Sequence, residues 1–152
     1  MELDAADRRI LAALTRDARA PLTEIARAAG LSKTPVAARI RRMEAAGLIA
    51  GYRALLSPLK LGLSHVTYVE IKVADTRQPA LVAFNDAIRA IPEVEECYMI
   101  AGGFDYLAKI RARDMAHFRA IMAERISTLP HIAATSSYVA MEAVVEQAGP
   151  PL

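Results

Sequence analysis

Tryptophan is absent from this chain, cysteine occurs once, aromatic residues make up 5%, and charged residues interrupt every apolar run. Each shortage excludes something. With Cys97 alone, no intrachain disulfide can form, so the fold must rest on its own core and a reducing cytoplasm is the expected home. No run approaches the roughly 20 apolar residues of a membrane helix. Asp4, Asp7, Arg8, Arg9 and Arg16 break up the opening residues, which therefore read as an amphipathic helix and not as a signal peptide. His65, His117 and His131 are scattered without metal-ligand spacing, so neither a metal nor a resident cofactor is expected. Asp105, Asp114, Glu95 and Glu96 suggest no nucleophile–base pair, and adjacent strand residues such as Glu95 and Glu96 point to opposite faces. The enzyme reading is therefore set aside.

What is present is 54% hydrophobic over 152 residues, enough for one domain or two small ones and too much for disorder. The net charge of +2 is uneven. Residues 1–57 carry +4 and residues 58–152 carry −2, as expected of a nucleic-acid module joined to something else.

The segment Leu22 to Gly47, LTEIARAAGLSKTPVAARIRRMEAAG, is the most informative. Ile25, Ala26 and Ala29 form the inner stripe of one short helix. Gly30 permits a tight turn, Leu31 fills the elbow, and Val36, Ile40 and Met43 form the stripe of the next. Ala26 is small enough for close helix crossing. This is a helix-turn-helix pattern, whose second helix enters the major groove of double-stranded DNA. A preceding helix is capped by Asp4, with Ile10, Leu11 and Leu14 facing inward.

Within the recognition helix, Ser32 or Thr34 is expected as cap, and Pro35 sits in a first turn where its missing N–H costs nothing. Lys33 and Thr34 are candidates for DNA contact by position. Arg39 and Arg42 lie three apart on one face with Arg41 beside them. Their bland reading is a solvated basic face, but inside a helix-turn-helix they are candidates for DNA contact. Ala37 and Ala38 offer no hydrogen bonds, so discrimination among bases rests on few side chains and on DNA bending.

Gly47 stops this helix. Residues 50–64 then read as a strand near Tyr52 to Leu56, forming a wing or joining two domains, followed by a linker reaching Ser64. The expected boundaries are thus a winged helix-turn-helix over 1–49, a strand and linker over 50–64, and a second domain over 65–152. In that domain Ile91-Pro92-Glu93-Val94 echoes Leu129-Pro130-His131-Ile132 at a spacing of 38 residues. Each copy reads strand, helix, strand, over 65–74, 78–91 and 94–101, then over 104–112, 114–128 and 132–142. Leu81, Phe84, Ile88 and Ile91 share a helical face, as do Met115, Phe118, Met122 and Ile126. Asp114 caps the second helix, and Pro92 and Pro130 stop both. The fold class is α+β, with a ferredoxin-like βαββαβ domain.

On the first strand Thr67, Val69, Ile71 and Val73 share one face, while Val66, Tyr68, Glu70 and Lys72 share the other. Helices cover only one face, so the second predicts contact with another subunit and at least a homodimer. Glu70 and Lys72 are then candidates for cross-strand or cross-subunit pairs with Lys109 or Arg111.

Over essentially its full length the chain resembles the Lrp/AsnC, or feast/famine, family of transcription regulators. The residues carrying the resemblance are LDAADRRILAAL, GLSKTPVAARIRRMEAAGLIAGY, AGGFDYLAKIRARD and TSSYVAME. It implies a winged helix-turn-helix, a C-terminal amino-acid-responsive (RAM) domain, and dimers assembling to octamers in the cytoplasm on the nucleoid. It also implies an effector site between dimers near Gly102 to Asp105. There Ala101, Gly102, Gly103 and Phe104 offer backbone N–H groups for a carboxylate, and Asp105 a partner for an ammonium. The bland reading is a glycine turn with Phe104 in the core. Relatives often carry an acid where this chain has Gly103. Thr135, Ser136 and Ser137 are candidates to line the pocket, or simply the polar side of an edge strand. GGFDYLAKIRARD and TSSYVAME most resemble the proline-utilisation regulators of α-proteobacteria, which makes proline the candidate effector. The alternative is a nucleoid-organising protein with little effector response.

Overall fold

The structure is a computed structural model that describes residues 2–146. The chain divides into two compact units, one reaching Leu56 and one spanning Ser57–Glu146. The linker's second half therefore belongs to the second unit: residues 57–63 close a turn in which Leu63 N–H donates to the Pro58 carbonyl at 2.8 Å.

The first unit is three helices, α1 (Ala5–Arg16), α2 (Leu22–Ala29) and α3 (Lys33–Ala45). Asp4 and Asp7 form a capping box at the start of α1, each carboxylate accepting the other's backbone N–H, which satisfies donors that every helix start leaves open. Between α2 and α3, Gly30 adopts φ 69° and Leu31 N–H returns to the Ala26 carbonyl at 3.0 Å. A β-carbon is disfavoured in that conformation, so the turn requires glycine. Ile10, Leu11, Ile25, Ala26, Ala29, Val36 and Met43 are buried together, with Leu14, Leu31 and Ile40 packed partly against them.

Two local expectations need correction. Residues 51–57 form no strand, so among the described residues the helix-turn-helix carries no wing. A lone extended segment has no ladder to join, and Tyr52, Leu55 and Leu56 stay exposed. Ser32 does occupy the cap position of α3, but its hydroxyl makes no capping bond.

The second unit runs β1 (His65–Val73), α4 (Gln78–Arg89), β2 (Val94–Met99), β3 (Tyr106–Ala112), α5 (Met115–Ile121) and β4 (Ile132–Val139). The sheet is antiparallel in the order β2-β3-β1-β4, the ferredoxin-like arrangement. Thr67, Val69, Ile71 and Val73 are all buried, and the apolar ones pack with Phe84, Ile88, Ala108, Ile110, Phe118 and Ile121. The Phe84 and Tyr106 rings lie 4.4 Å apart at their centroids. Strands and α4 are shorter than expected, since β2 stops at Met99 and β3 begins only at Tyr106.

The helix expected over 114–128 is α-helical only to Ile121. Asp114 caps it, accepting from His117 N–H at 2.7 Å, and Met122–Ile126 then forms a π-helical turn, closed by Ser127 N–H on the Met122 carbonyl at 2.8 Å. In an unbroken α-helix, Ile121 and Ile126 would point about 140° apart. The wider turn lets both be buried. Met115, expected inside, is exposed instead, and Met122 is only half-buried.

The 38-residue echo ends differently in its two copies. His131 has φ 64°, and its carbonyl accepts Ala74 N–H at 2.7 Å. A β-carbon costs roughly 1–2 kcal/mol there, partly offset for glycine by its larger unfolded entropy. His131→Gly should therefore raise stability by about 0.5–1 kcal/mol, while a β-branched His131→Val should lower it by at least about 1 kcal/mol. Urea denaturation of the three proteins checks that order.

Candidate nucleic-acid interface and effector site

The recognition helix α3 buries Val36 and Met43 and leaves Ser32, Lys33, Thr34, Pro35, Ala38 and Arg41 exposed. Pro35 sits in the first turn, as its missing N–H requires. These groups are exposed, as contact with a duplex requires.

Arg39 and Arg42 behave differently from a solvated basic face. Arg39 Nη1 donates to Asp4 Oδ2 at 2.6 Å and Asp7 Oδ1 at 2.8 Å, and Arg42 Nη2 donates to Asp7 Oδ2 at 2.8 Å. Asp7 is only 1% exposed, Arg39 is 26% exposed and Arg42 52%. Arg39 is therefore tied to α1, and Arg42 has one nitrogen tied there with half its side chain in solvent. The Asp7 N–H, then the Arg39 guanidinium, hold the Asp4 carboxyl below its ordinary range. The residues missed in the sequence are Asp4 and Asp7 in this second role. Their signal was two acids three apart on one helix and two arginines three apart on another.

In the second unit, residues 100–105 join β2 to β3. Ile100 N–H donates to the Asp105 carbonyl at 2.8 Å, and Asp105 N–H donates to the Ile71 carbonyl at 3.0 Å. The Asp105 carboxylate accepts Val73 N–H at 2.8 Å. One of its oxygens thus already ties the loop to β1. Ala101, Gly102 and Gly103 are exposed. Neither glycine has positive φ, so the turn does not require glycine. A β-carbon at Gly103 would meet nothing within 4 Å, and one at Gly102 would only touch Ile100. Phe104, expected in the core, is half-buried because the loop lies beyond the sheet's helix-covered region.

Thr135, Ser136 and Ser137 pair across β4 with Ile71, Glu70 and Val69. Alternation therefore sends Thr135 and Ser137 to the helix side and Ser136 to the opposite face. Asp105 and Thr135 approach the Ile71 end of β1 from opposite flanks, about 10 Å apart at two strand spacings. Ser137 opens instead onto a shallow groove of about 700 Å³ lined by Phe118, Arg119, Met122 and Ser127 among others. The three hydroxyls do not converge.

The face away from the helices carries Tyr68, Tyr98 and Tyr138, all exposed. Beside them, Lys109 Nζ lies 2.7 Å from Glu146 and 3.2 Å from Glu95, and Arg111 pairs with the same two acids. Within one chain, Glu70 and Lys72 make no cross-strand pair with these cations. Glu70 instead accepts the Tyr138 hydroxyl at 3.2 Å. A register shift between Val94 and Glu96 undoes the alternation of Glu95 and Glu96, and both approach Lys109, Glu96 at 4.0 Å. Burial pulls Lys109 down, but Glu146 and Glu95 outweigh it and hold the ammonium form.

An AsnC-type helix-turn-helix domain matches residues 3–44, and the Lrp/AsnC ligand binding domain matches residues 66–150. The chain belongs to the Lrp/AsnC family of transcriptional regulators. It is a DNA-binding regulator, and the family is not one of enzymes. It is 69% identical, over 99% of its length and 97% of the relative's, to a proline dehydrogenase transcriptional activator of Rhodobacter capsulatus. A crystal structure of an AsnC family transcriptional regulator from Agrobacterium tumefaciens superposes with a TM-score of 0.94 at 33% identity, covering 98% of this chain and 97% of that one. A feast or famine regulatory protein from M. tuberculosis complexed with L-methionine gives 0.87 at 31%, covering 98% and 99%. No described helix is long and apolar enough to cross a membrane.

The Asp105–Val73 bond gives a stability test that needs no effector. Asp105→Ala leaves a strand-end N–H without its charged acceptor, a loss of about 1.5–3 kcal/mol. Chemical denaturation of the unliganded variant should show it.

Proposed function

We propose that this regulator activates genes of proline catabolism and that proline is its effector. The observation carrying this reading is the 69% identity, over nearly the whole of both chains, to a proline dehydrogenase transcriptional activator. The loop gives it physical support. The exposed backbone of Ala101, Gly102 and Gly103 suits a carboxylate, and Phe104 is half-buried beside it, where it offers apolar contact. One oxygen of Asp105 is committed to Val73, which leaves the other for an amine, and Gly103 supplies no second acid. Proline, with a secondary amine and a compact apolar ring, asks less of that end of the site.

On the DNA side, Lys33, Thr34 and Arg41 make the contacts, with Ser32 and Pro35 shaping the first turn and Arg42 at the edge. The tyrosine-bearing sheet face packs on a second copy, giving a homodimer that assembles further, to an octamer by family likeness. The effector favours one assembly over another, which changes the DNA sites that the recognition helices span. A ligand can do so only through unequal affinity for the two assemblies. One observation favours the nucleoid-organising alternative: with Arg39 tied to Asp4 and Asp7, α3 has few groups left to read bases. A genomic footprint confined to a few promoters supports the regulator, and uniform coverage supports the architectural role.

Thermal-shift titration against the twenty amino acids tests the effector. At a hundredfold excess over Kd, proline should raise Tm by about 5 °C or more, and a selective rise with another amino acid discards proline. Gly103→Glu, for which the structure has room, should move selectivity from proline toward amino acids with a primary ammonium. Arg41→Gln should flatten the salt dependence of DNA affinity, lowering its log–log slope by about one for each phosphate no longer neutralised.

A further inference from the structure

Asp7 lies in the first turn of α1, remote in sequence from the recognition helix, yet it touches that helix twice. Its Oδ1 accepts from Arg39 and its Oδ2 from Arg42, while Oδ2 also takes the Asp4 N–H at 3.3 Å. Asp4 completes the arrangement: Oδ1 receives Asp7 N–H at 2.8 Å and Oδ2 receives Arg39. All four carboxylate oxygens are used, and two negative charges meet two positive ones.

Arg39 and Arg42 are three residues apart, so they stand about one turn apart on the same side of α3. Two attachments separated along a helix fix both its rotation about its axis and its slide along it. A single attachment would leave one of these free. The adjacent face of α3, about 100° round from the Arg39–Arg42 side, carries Thr34, Ala38 and Arg41, which are exposed. Rotating the helix by one residue's angle, about 100°, would turn those groups out of a groove.

We propose that Asp7 is a positioning residue for DNA recognition, setting the rotation and depth of α3 through Arg39 and Arg42, and that Arg39 serves this clamp and not the DNA. The charge balance gives the proposal a sign that simple electrostatics does not share. Removing a negative charge from a DNA-binding unit strengthens binding to any duplex through the phosphates. Removing a positioning group weakens binding to a specific duplex alone, because phosphate contacts tolerate misalignment and base contacts do not.

The experiment uses the full chain and a duplex selected by the wild-type protein from a random pool, with a scrambled duplex of equal length as reference. Fluorescence anisotropy is measured across roughly 50–200 mM salt, and circular dichroism reports folding. Asp7→Asn should bind the selected duplex about tenfold or more weakly and the scrambled one at least as tightly as wild type. Arg39→Gln should lose affinity for the selected duplex with an unchanged salt slope, and the double variant should lose no more than the worse single one. If Asp7→Asn does not fold, Arg39→Gln, on a partly exposed side chain, carries the test. The proposal is overturned if Asp7→Asn binds the selected duplex as tightly as wild type or weakens both duplexes equally. Flattening of the slope by about one in Arg39→Gln, or additive losses in the double variant, also overturns it.

Discussion

A carboxylate taken almost wholly out of water must find its full complement of donors, or it destabilises the fold by several kcal/mol. Asp7 meets that demand with two guanidinium groups and a backbone N–H. The first unit is organised around the result. A core of alanines and short aliphatics is slick: Ala26 and Ala29 allow close approach but give little purchase against sliding. The ion cluster supplies direction where the apolar contact supplies cohesion. The same reasoning explains Arg9, whose guanidinium donates twice to the Ala29 carbonyl, at 3.2 and 3.1 Å. That bond closes the C-terminal end of α2 against α1, as the Asp7 cluster closes α3 against it.

The second unit answers a different constraint. Two helices can cover one face of a four-stranded sheet and no more, and β1 shows the consequence residue by residue. Val69, Ile71 and Val73 vanish into the core while Tyr68 remains 39% exposed. The outer face is a mixture of tyrosines and a dense cation–carboxylate patch. Lys109 and Arg111, with side chains only 11% and 10% exposed, would be hard to bury without Glu95 and Glu146. The bulge in β2 is what brings both Glu95 and Glu96 toward Lys109. A strand irregularity thus compensates a charge that regular pleating would leave short of partners.

The sequence carried the architecture because periodicity reports burial, and burial governs both units. The stripes Ile25, Ala26, Ala29 and Val36, Met43 are buried as their spacing required, and so are Phe84, Ile88 and Ile91. Where periodicity was followed past its range, it misled. Of the stripe Met115, Phe118, Met122 and Ile126, Phe118 and Ile126 are buried, Met115 at the helix start stays exposed, and the π turn adds Ile121 to the core beside a half-buried Met122. No residue type marks such a turn. The segment Tyr52 to Leu56 has strand-like composition and no partner strand among the described residues, a fact that local pattern does not contain. At the candidate sites, exposure was legible and partnership was not. Basic spacing singles out Arg39 and Arg42 as candidates for DNA contact, but the carboxylates they meet lie more than thirty residues away in the sequence.

That partnership changes the arithmetic of DNA binding. Counted from sequence, α3 presents Lys33, Arg39, Arg41 and Arg42 to the phosphates. With Asp4 and Asp7 set against Arg39 and Arg42, the cluster is neutral, and the charge left on the exposed face is chiefly that of Lys33 and Arg41. Two or so phosphate contacts release few counterions, and affinity from that source is small at physiological salt. One recognition helix of this kind is a weak binder. Two held at fixed spacing convert the second contact into an intramolecular event, with gains of about 10²–10⁴ that require no new chemistry at the protein–DNA surface. On the proposed contacts, a regulator built on so sparse a helix would draw its affinity from assembly. Any ligand that biases assembly then acts on DNA binding directly, without touching the helix that reads it.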